Sequence, residues 1–158
     1  MRAEPISKTM LRAIFYCAAV SLALTDVAAA QSDVKRAVLD FGLIGVWAAE
    51  CDEPPSPTNN LATFALTSSG TVSLKYEFGS QYKPTRYTVV RARRVDAGRI
   101  EMREDRLDVQ PPYSLDVVLN KADGRIRVWS SVKSDGKVLV HEGHIVEVRD
   151  TKWLSRCR

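Results

Sequence analysis

The sequence predicts an all-β domain: an eight-stranded antiparallel up-and-down barrel preceded by one short N-terminal helix. Three observations carry that expectation. From about residue 61 onward apolar and polar residues alternate with period two, the signature of half-buried antiparallel strands. Four short connections, "SSG" (68–70), "DAG" (96–98), "ADG" (122–124) and "SDG" (134–136), end in glycine, which supplies the positive φ that tight hairpin turns need. The strand-like runs recur roughly every ten residues, and hairpin after hairpin makes a meander that closes into a barrel more readily than into a Greek-key sandwich.

The elements follow in order. Residues 1–30 read as a cleaved signal peptide. Arg2, Lys8 and Arg12 give a positive start, "AIFYCAAVSLAL" (13–24) an uncharged core, and "AAA" (28–30) the small residues before a cut ahead of Gln31. The apolar run falls short of the ~20 residues of a membrane span, so no span is expected in the mature chain. Residues 31–158 then form a single domain. "SDVKRAVLDF" predicts a short helix, with Ser32 or Asp33 as N-cap and Val34, Ala37, Val38 and Phe41 on one face. Gly42 and Gly45 end it. "DEPPSPTNN" (52–60) is too rich in proline and asparagine for regular structure.

Strands are expected at 45–51, 61–67, 71–79, 85–95, 99–105, 113–120, 125–132 and 138–148. In the third, Val72, Leu74, Tyr76 and Phe78 alternate with Ser73, Lys75 and Glu77. In the sixth, Tyr113, Leu115, Val117 and Leu119 share a face. In the seventh, Ile126, Val128, Ser130 and Val132 oppose Arg127 and Trp129.

Charge and cysteine content bound the function. Removing Arg2, Lys8, Arg12, Glu4 and Asp26 from the 23 basic and 19 acidic residues leaves a net charge of about +3, with no basic block interleaved by aromatics, so nucleic acid is not an expected partner. Cys17 leaves with the signal, and Cys51 and Cys157 remain. In an oxidising compartment, periplasmic or secreted, such a lone pair is expected to form a disulfide.

The helix followed by Gly45-Val46-Trp47 at the start of an eight-strand meander resembles the lipocalins and the wider calycin group, and more distantly the periplasmic metalloprotease-inhibitor barrels. That resemblance implies that Trp47 closes the barrel base under a basic side chain following the last strand, for which Arg149 holds the matching place. It also implies a barrel that either holds a small ligand or, in the inhibitor reading, acts on a secreted or envelope protein partner through its N-terminal "QSDVKRAV".

Catalytic chemistry finds little support. "HEGH" (141–144) has histidines three apart in a strand, not four apart on a helix as a zinc protease requires, and no metal or cofactor is expected. No nucleophile elbow is present. Glu101, Glu104, Asp105, Asp108 and Asp116 lie among arginines and read as a solvated, charge-balanced face. The hairpin holding Arg86, Arg91, Arg93, Arg94, Arg99, Arg103 and Arg106 is harder to phase. Tyr87, Val89 and Val95 share a face with Arg91 and Arg93, so without a bulge an arginine points inward and must meet a counter-charge or an anionic ligand. The expected function is therefore non-enzymatic binding of a small, partly apolar or anionic molecule, with Tyr76, Phe78, Tyr87, Tyr113, Arg91 and Arg93 as the ligand-binding residues.

Overall fold

The computed structural model describes residues 31–157; the expected export signal, 1–30, lies outside the described residues. A helix, α1, occupies 31–41. Its Val34, Val38 and Phe41 are buried in the core, one face at helical spacing, while Ala37 is only half-buried. Gly42 stops it at φ +76° in a Schellman arrangement: Gly42 N donates to Leu39 O at 2.9 Å and Leu43 N to Val38 O at 3.1 Å. Lys121 Nζ caps a further free carbonyl, that of Phe41, at 2.7 Å. A cation there also meets the negative end of the helix dipole.

Eleven strands follow: β1 (Gly45–Ala48), β2 (Leu61–Leu66), β3 (Val72–Glu77), β4 (Thr85–Arg94), β5 (Arg99–Arg106), β6 (Tyr113–Ala122), β7 (Arg125–Lys133), β8 (Val138–His141), β9 (His144–Ile145), β10 (Arg149–Asp150) and β11 (Ser155–Cys157). They form one antiparallel up-and-down sheet in the order β10-β9-β8-β7-β6-β5-β4-β3-β2-β1-β11. The first seven fall within a few residues of expectation. The count of eight does not hold, for two reasons. The expected strand 138–148 is broken by a hairpin turn at Glu142 and Gly143 (φ +49° and +82°) and by Glu147 (φ +63°). The C-terminal tail, in contrast, returns as β11 to pair with β1, Val46 opposite Cys157 and Trp47 opposite Arg156. The ladder is open, and its far parts meet at one bridge. Ile126 N donates to Leu154 O at 2.9 Å and Leu154 N to Ile126 O at 2.7 Å.

Three register shifts interrupt the meander, one of them between β7 and β8, where Ser131 faces Val140 and Val132 faces Val138 with Leu139 extra. Between β4 and β5 the register runs Val89 opposite Glu104, then Arg91 opposite Arg103, so Val90 is the extra residue. Between β6 and β7, Val118 faces Ser130 and Leu119 faces Val128, leaving Trp129 unopposed. Beyond that bulge Ser131, at 6 % exposure, takes the inward place expected of Ser130 and Val132. Among the connecting glycines, Gly70, Gly124 and Gly136 have the expected positive φ. Gly98 does not; it lies close to the neighbouring strand, where a Cβ would come within 3.1 Å of Lys121 O.

The inner face of the sheet and α1 enclose one core, including Phe41, Leu43, Trp47, Phe64, Leu74, Ile100 and Ile126. Trp47 is 1 % exposed, and its indole N–H donates to Leu43 O at 2.7 Å. Arg156 lies across Gly45, where a Cβ would come within 2.9 Å of its Nε, and donates to Ile44 O at 2.7 Å. Cys51 and Cys157 form a disulfide with Cα atoms 5.3 Å apart. Because β1 ends at Ala48 and the chain turns, Cys51 is exposed in the turn, whereas an unbroken strand 45–51 would put it on the buried face of Trp47. The cross-link thus ties β11 to the turn after β1.

Candidate functional site

β3 to β7 direct their inner-face side chains into a cavity of about 370 Å³ at the end of the sheet away from α1. Tyr76 comes from the end of β3 and Phe78 from just after it, Tyr87 from the start of β4, Glu104 from β5, Leu115 and Val117 from β6, and Val128 and Ser131 from β7. Leu139, Val140 and Ile145 of the β8–β9 hairpin cover one side, and Arg149, Asp150, Thr151, Lys152 and Leu154 another. The aromatic side chains are ordered by each other. Tyr76 stacks on Phe78 with centroids 6.2 Å apart and meets Tyr87 edge-on at 6.1 Å.

Glu104, expected on a solvated face, is buried instead. Strand β5 alternates Ile100, Met102, Glu104 inward against Glu101, Arg103, Asp105 outward, so Glu104 stands in a core phase between Val89 and Leu115. It is 2 % exposed, its Oε1 has no hydrogen-bond partner, and among the described residues no lysine or arginine forms a salt bridge with it. Burial pushes its carboxyl up to about 8. At neutral pH it is therefore mostly a protonated acid in an apolar wall. The signal that could have found it is the alternation itself, since Ile100 and Met102 fix the inward phase four and two residues earlier.

The other expected site residues divide. Tyr76, Phe78 and Tyr87 line the cavity. Tyr76 is raised well above the ordinary tyrosine value by burial first and by the nearby Glu104 second. Tyr113 stands beside them, its hydroxyl 3.4 Å from that of Tyr87 and accepting from Arg106 Nη1 at 3.1 Å. Burial raises Tyr87, assisted by that pairing. Arg106 covers the rings of Tyr87 and Tyr113 at 5.9 Å each and is anchored to Asp108 at 3.1 Å. Arg106 and Ser131, like Glu104, were not among the expected site residues.

Arg91 and Arg93 do not reach the cavity. The Val90 bulge resets β4 so that both face outward with side chains 69 % exposed, Arg91 to Asp116 at 3.3 Å and Arg93 to Glu101 at 2.6 Å. The expected inward guanidinium, and with it the motive for an anionic ligand, is removed. Arg149 also departs from expectation. It lines the cavity and donates to Pro57 O at 3.2 Å, and among the described residues it makes no cation–π contact with Trp47. The basic residue opposite Trp47 is Arg156.

"HEGH" forms the tip of the β8–β9 hairpin. His141 pairs across the turn with His144, whose Nδ1 meets the Asp150 carboxyl. Where the hairpin meets β7, Gly143 N donates to Trp129 O at 2.8 Å and Thr151 Oγ1 to Val128 O at 2.7 Å. On the outer side Arg127 lies between Trp129 and Trp153, 5.0 and 4.9 Å from their centroids. No family model, curated protein or solved structure matches the chain.

Proposed function

We propose that this chain is an exported, non-enzymatic binding protein that holds a small, partly apolar molecule in the cavity bounded by Tyr76, Phe78, Tyr87 and Glu104. In this reading β1 to β7 and β11 are the eight staves of a lipocalin-like barrel. The Ile126–Leu154 bridge closes it, Trp47 and α1 plug its base, and the β8–β10 segment forms part of its rim. The disulfide fits an oxidising compartment outside the cytoplasm.

One observation carries the proposal: an apolar cavity of about 370 Å³ with an unpartnered carboxyl oxygen in its wall. That volume suits a small ligand. A buried polar group without a partner costs about 1–3 kcal/mol, which a bound molecule can relieve. The alternative of an inhibitor acting through "QSDVKRAV" is less favoured, because this segment lies in α1 with Val34 and Val38 buried in the core.

Native mass spectrometry of the protein purified from its own host tests the reading. The expected result is a retained small-molecule mass, lost when Leu115→Trp or Val117→Trp fills the cavity. Absence of any adduct, together with no binding from a library of small amphipathic compounds, would reject it.

A further inference from the structure

The wall of the cavity bears on which class of molecule it takes. Glu104 has two carboxyl oxygens and no cationic partner among the described residues, and its Oε1 is sealed from solvent without a hydrogen bond. The groups that face it are Tyr76 from β3, Tyr87 from β4, and the apolar Val89 and Leu115 on the flanking strands. A neutral carbonyl ligand would only accept the acid's single O–H. An ammonium carries only donors and makes the stronger, charge-assisted bond to a carboxylate. The neighbouring rings add to the match, since aromatic faces attract a desolvated cation.

Resting on the cavity-binding reading above, we propose that the ligand is an apolar organic amine in its ammonium form, received by the Glu104 carboxylate beside Tyr76 and Tyr87. The body of the molecule lies against Leu115, Val117, Val128 and Val140. Binding draws Glu104 into its charged form, so one proton leaves the carboxyl for solvent as the ammonium arrives. No bond to carbon changes. Arg149, Asp150 and Lys152 all line the cavity, so the charges the amine passes are mixed rather than uniformly repulsive. With the carboxyl raised to about 8, only a small fraction of the apo protein is ionised at pH 6 and about half at pH 8. Affinity for an amine that stays protonated across this range should therefore rise roughly fifty-fold between those two pH values.

Isothermal titration calorimetry on the full protein with its disulfide formed provides the test. The probes are 2-phenylethylammonium, 2-phenylethanol and 3-phenylpropanoate, alike in their aromatic body and different in charge. At pH 8 the ammonium should bind at least ten-fold tighter than the alcohol, with the carboxylate weakest. Its affinity should fall steeply toward pH 6 while that of the alcohol does not. Buffers of different ionisation enthalpy should report nearly one proton released at pH 7. Glu104→Gln should bring ammonium and alcohol within about three-fold of each other and flatten the pH dependence. Equal binding of ammonium and alcohol by the native protein, preference for the carboxylate, or an unchanged ratio in E104Q would overturn the amine assignment while leaving a ligand cavity in place. If none of the three probes binds, the amine assignment falls, and the cavity reading falls with it only where native mass spectrometry also finds no retained ligand.

Discussion

The carboxyl of Glu104 makes a stability prediction that does not depend on any ligand. In the unfolded chain a glutamate titrates near 4.5; in the fold its carboxyl is raised to about 8 by burial. The folded state therefore holds a proton that the unfolded state has already released, so this group destabilises the fold progressively as pH rises from about 4.5. The loss levels off above about 8, where both states are ionised. At about 1.4 kcal/mol per pH unit of difference, native Glu104 should cost about 4 kcal/mol more at pH 9 than at pH 5. Glu104→Gln keeps the shape and removes the titration. All other groups titrate alike in the two proteins, so the difference between them isolates this side chain. Urea denaturation at pH 5, 7 and 9 measures it. The two proteins should be similar at pH 5, and E104Q should be the more stable by several kcal/mol at pH 9, with its midpoint raised and its m-value unchanged. Parallel profiles, with a constant offset at all three pH values, would mean that Glu104 ionises normally in the fold and is not sealed in an apolar wall.

Three further outcomes follow from the fold. Reducing Cys51–Cys157, or replacing either cysteine by serine, opens a cross-link spanning 106 residues and should lower stability by up to about 4.7 kcal/mol, read as a reductant-dependent shift in the denaturation midpoint; identical midpoints with and without reductant would remove the staple. Trp47→Ala empties the base of the core and should cost about 3–5 kcal/mol, with Trp47→Phe losing less because it gives up mainly the bond to Leu43 O; a near-neutral alanine variant would show that Trp47 is not a core plug. Arg91→Ala and Arg93→Ala break exposed pairs and should each change stability by no more than about 1 kcal/mol without altering affinity for any cavity ligand, whereas a selective loss of binding would return these arginines to the site.

What was legible in the sequence and what was not have one physical origin. Period-two alternation reads a strand correctly until a bulge inserts a residue, and nothing in the alternation itself announces the insertion. β3 has no bulge, and Val72, Leu74 and Tyr76 run inward as read. In β4 the single extra residue Val90 turns Arg91 and Arg93 out of the interior, and in β7 the extra Trp129 exchanges Ser130 for Ser131. β11 escaped because three residues are too few to alternate; it is held by its ladder with β1 and by the disulfide. The misreading of Glu104 had a different cause. Its phase was legible, but its charge invited the assumption that a carboxylate among arginines faces water. The expelled arginines answer that assumption. Once they pair with Asp116 and Glu101 on the outer face, the buried polar residues of the described chain are Asn59, Ser131 and Glu104. Asn59 is satisfied by the loop it organises, bonding Glu50 N and Glu50 O at 3.0 and 2.9 Å. Glu104 is the ionisable one, and its Oε1 has no partner. A fold whose β4 bulge keeps Arg91 and Arg93 outside and still retains a carboxyl in an apolar wall carries a cost that packing does not repay, and in the proposed reading a ligand held in front of that carboxyl supplies the compensation.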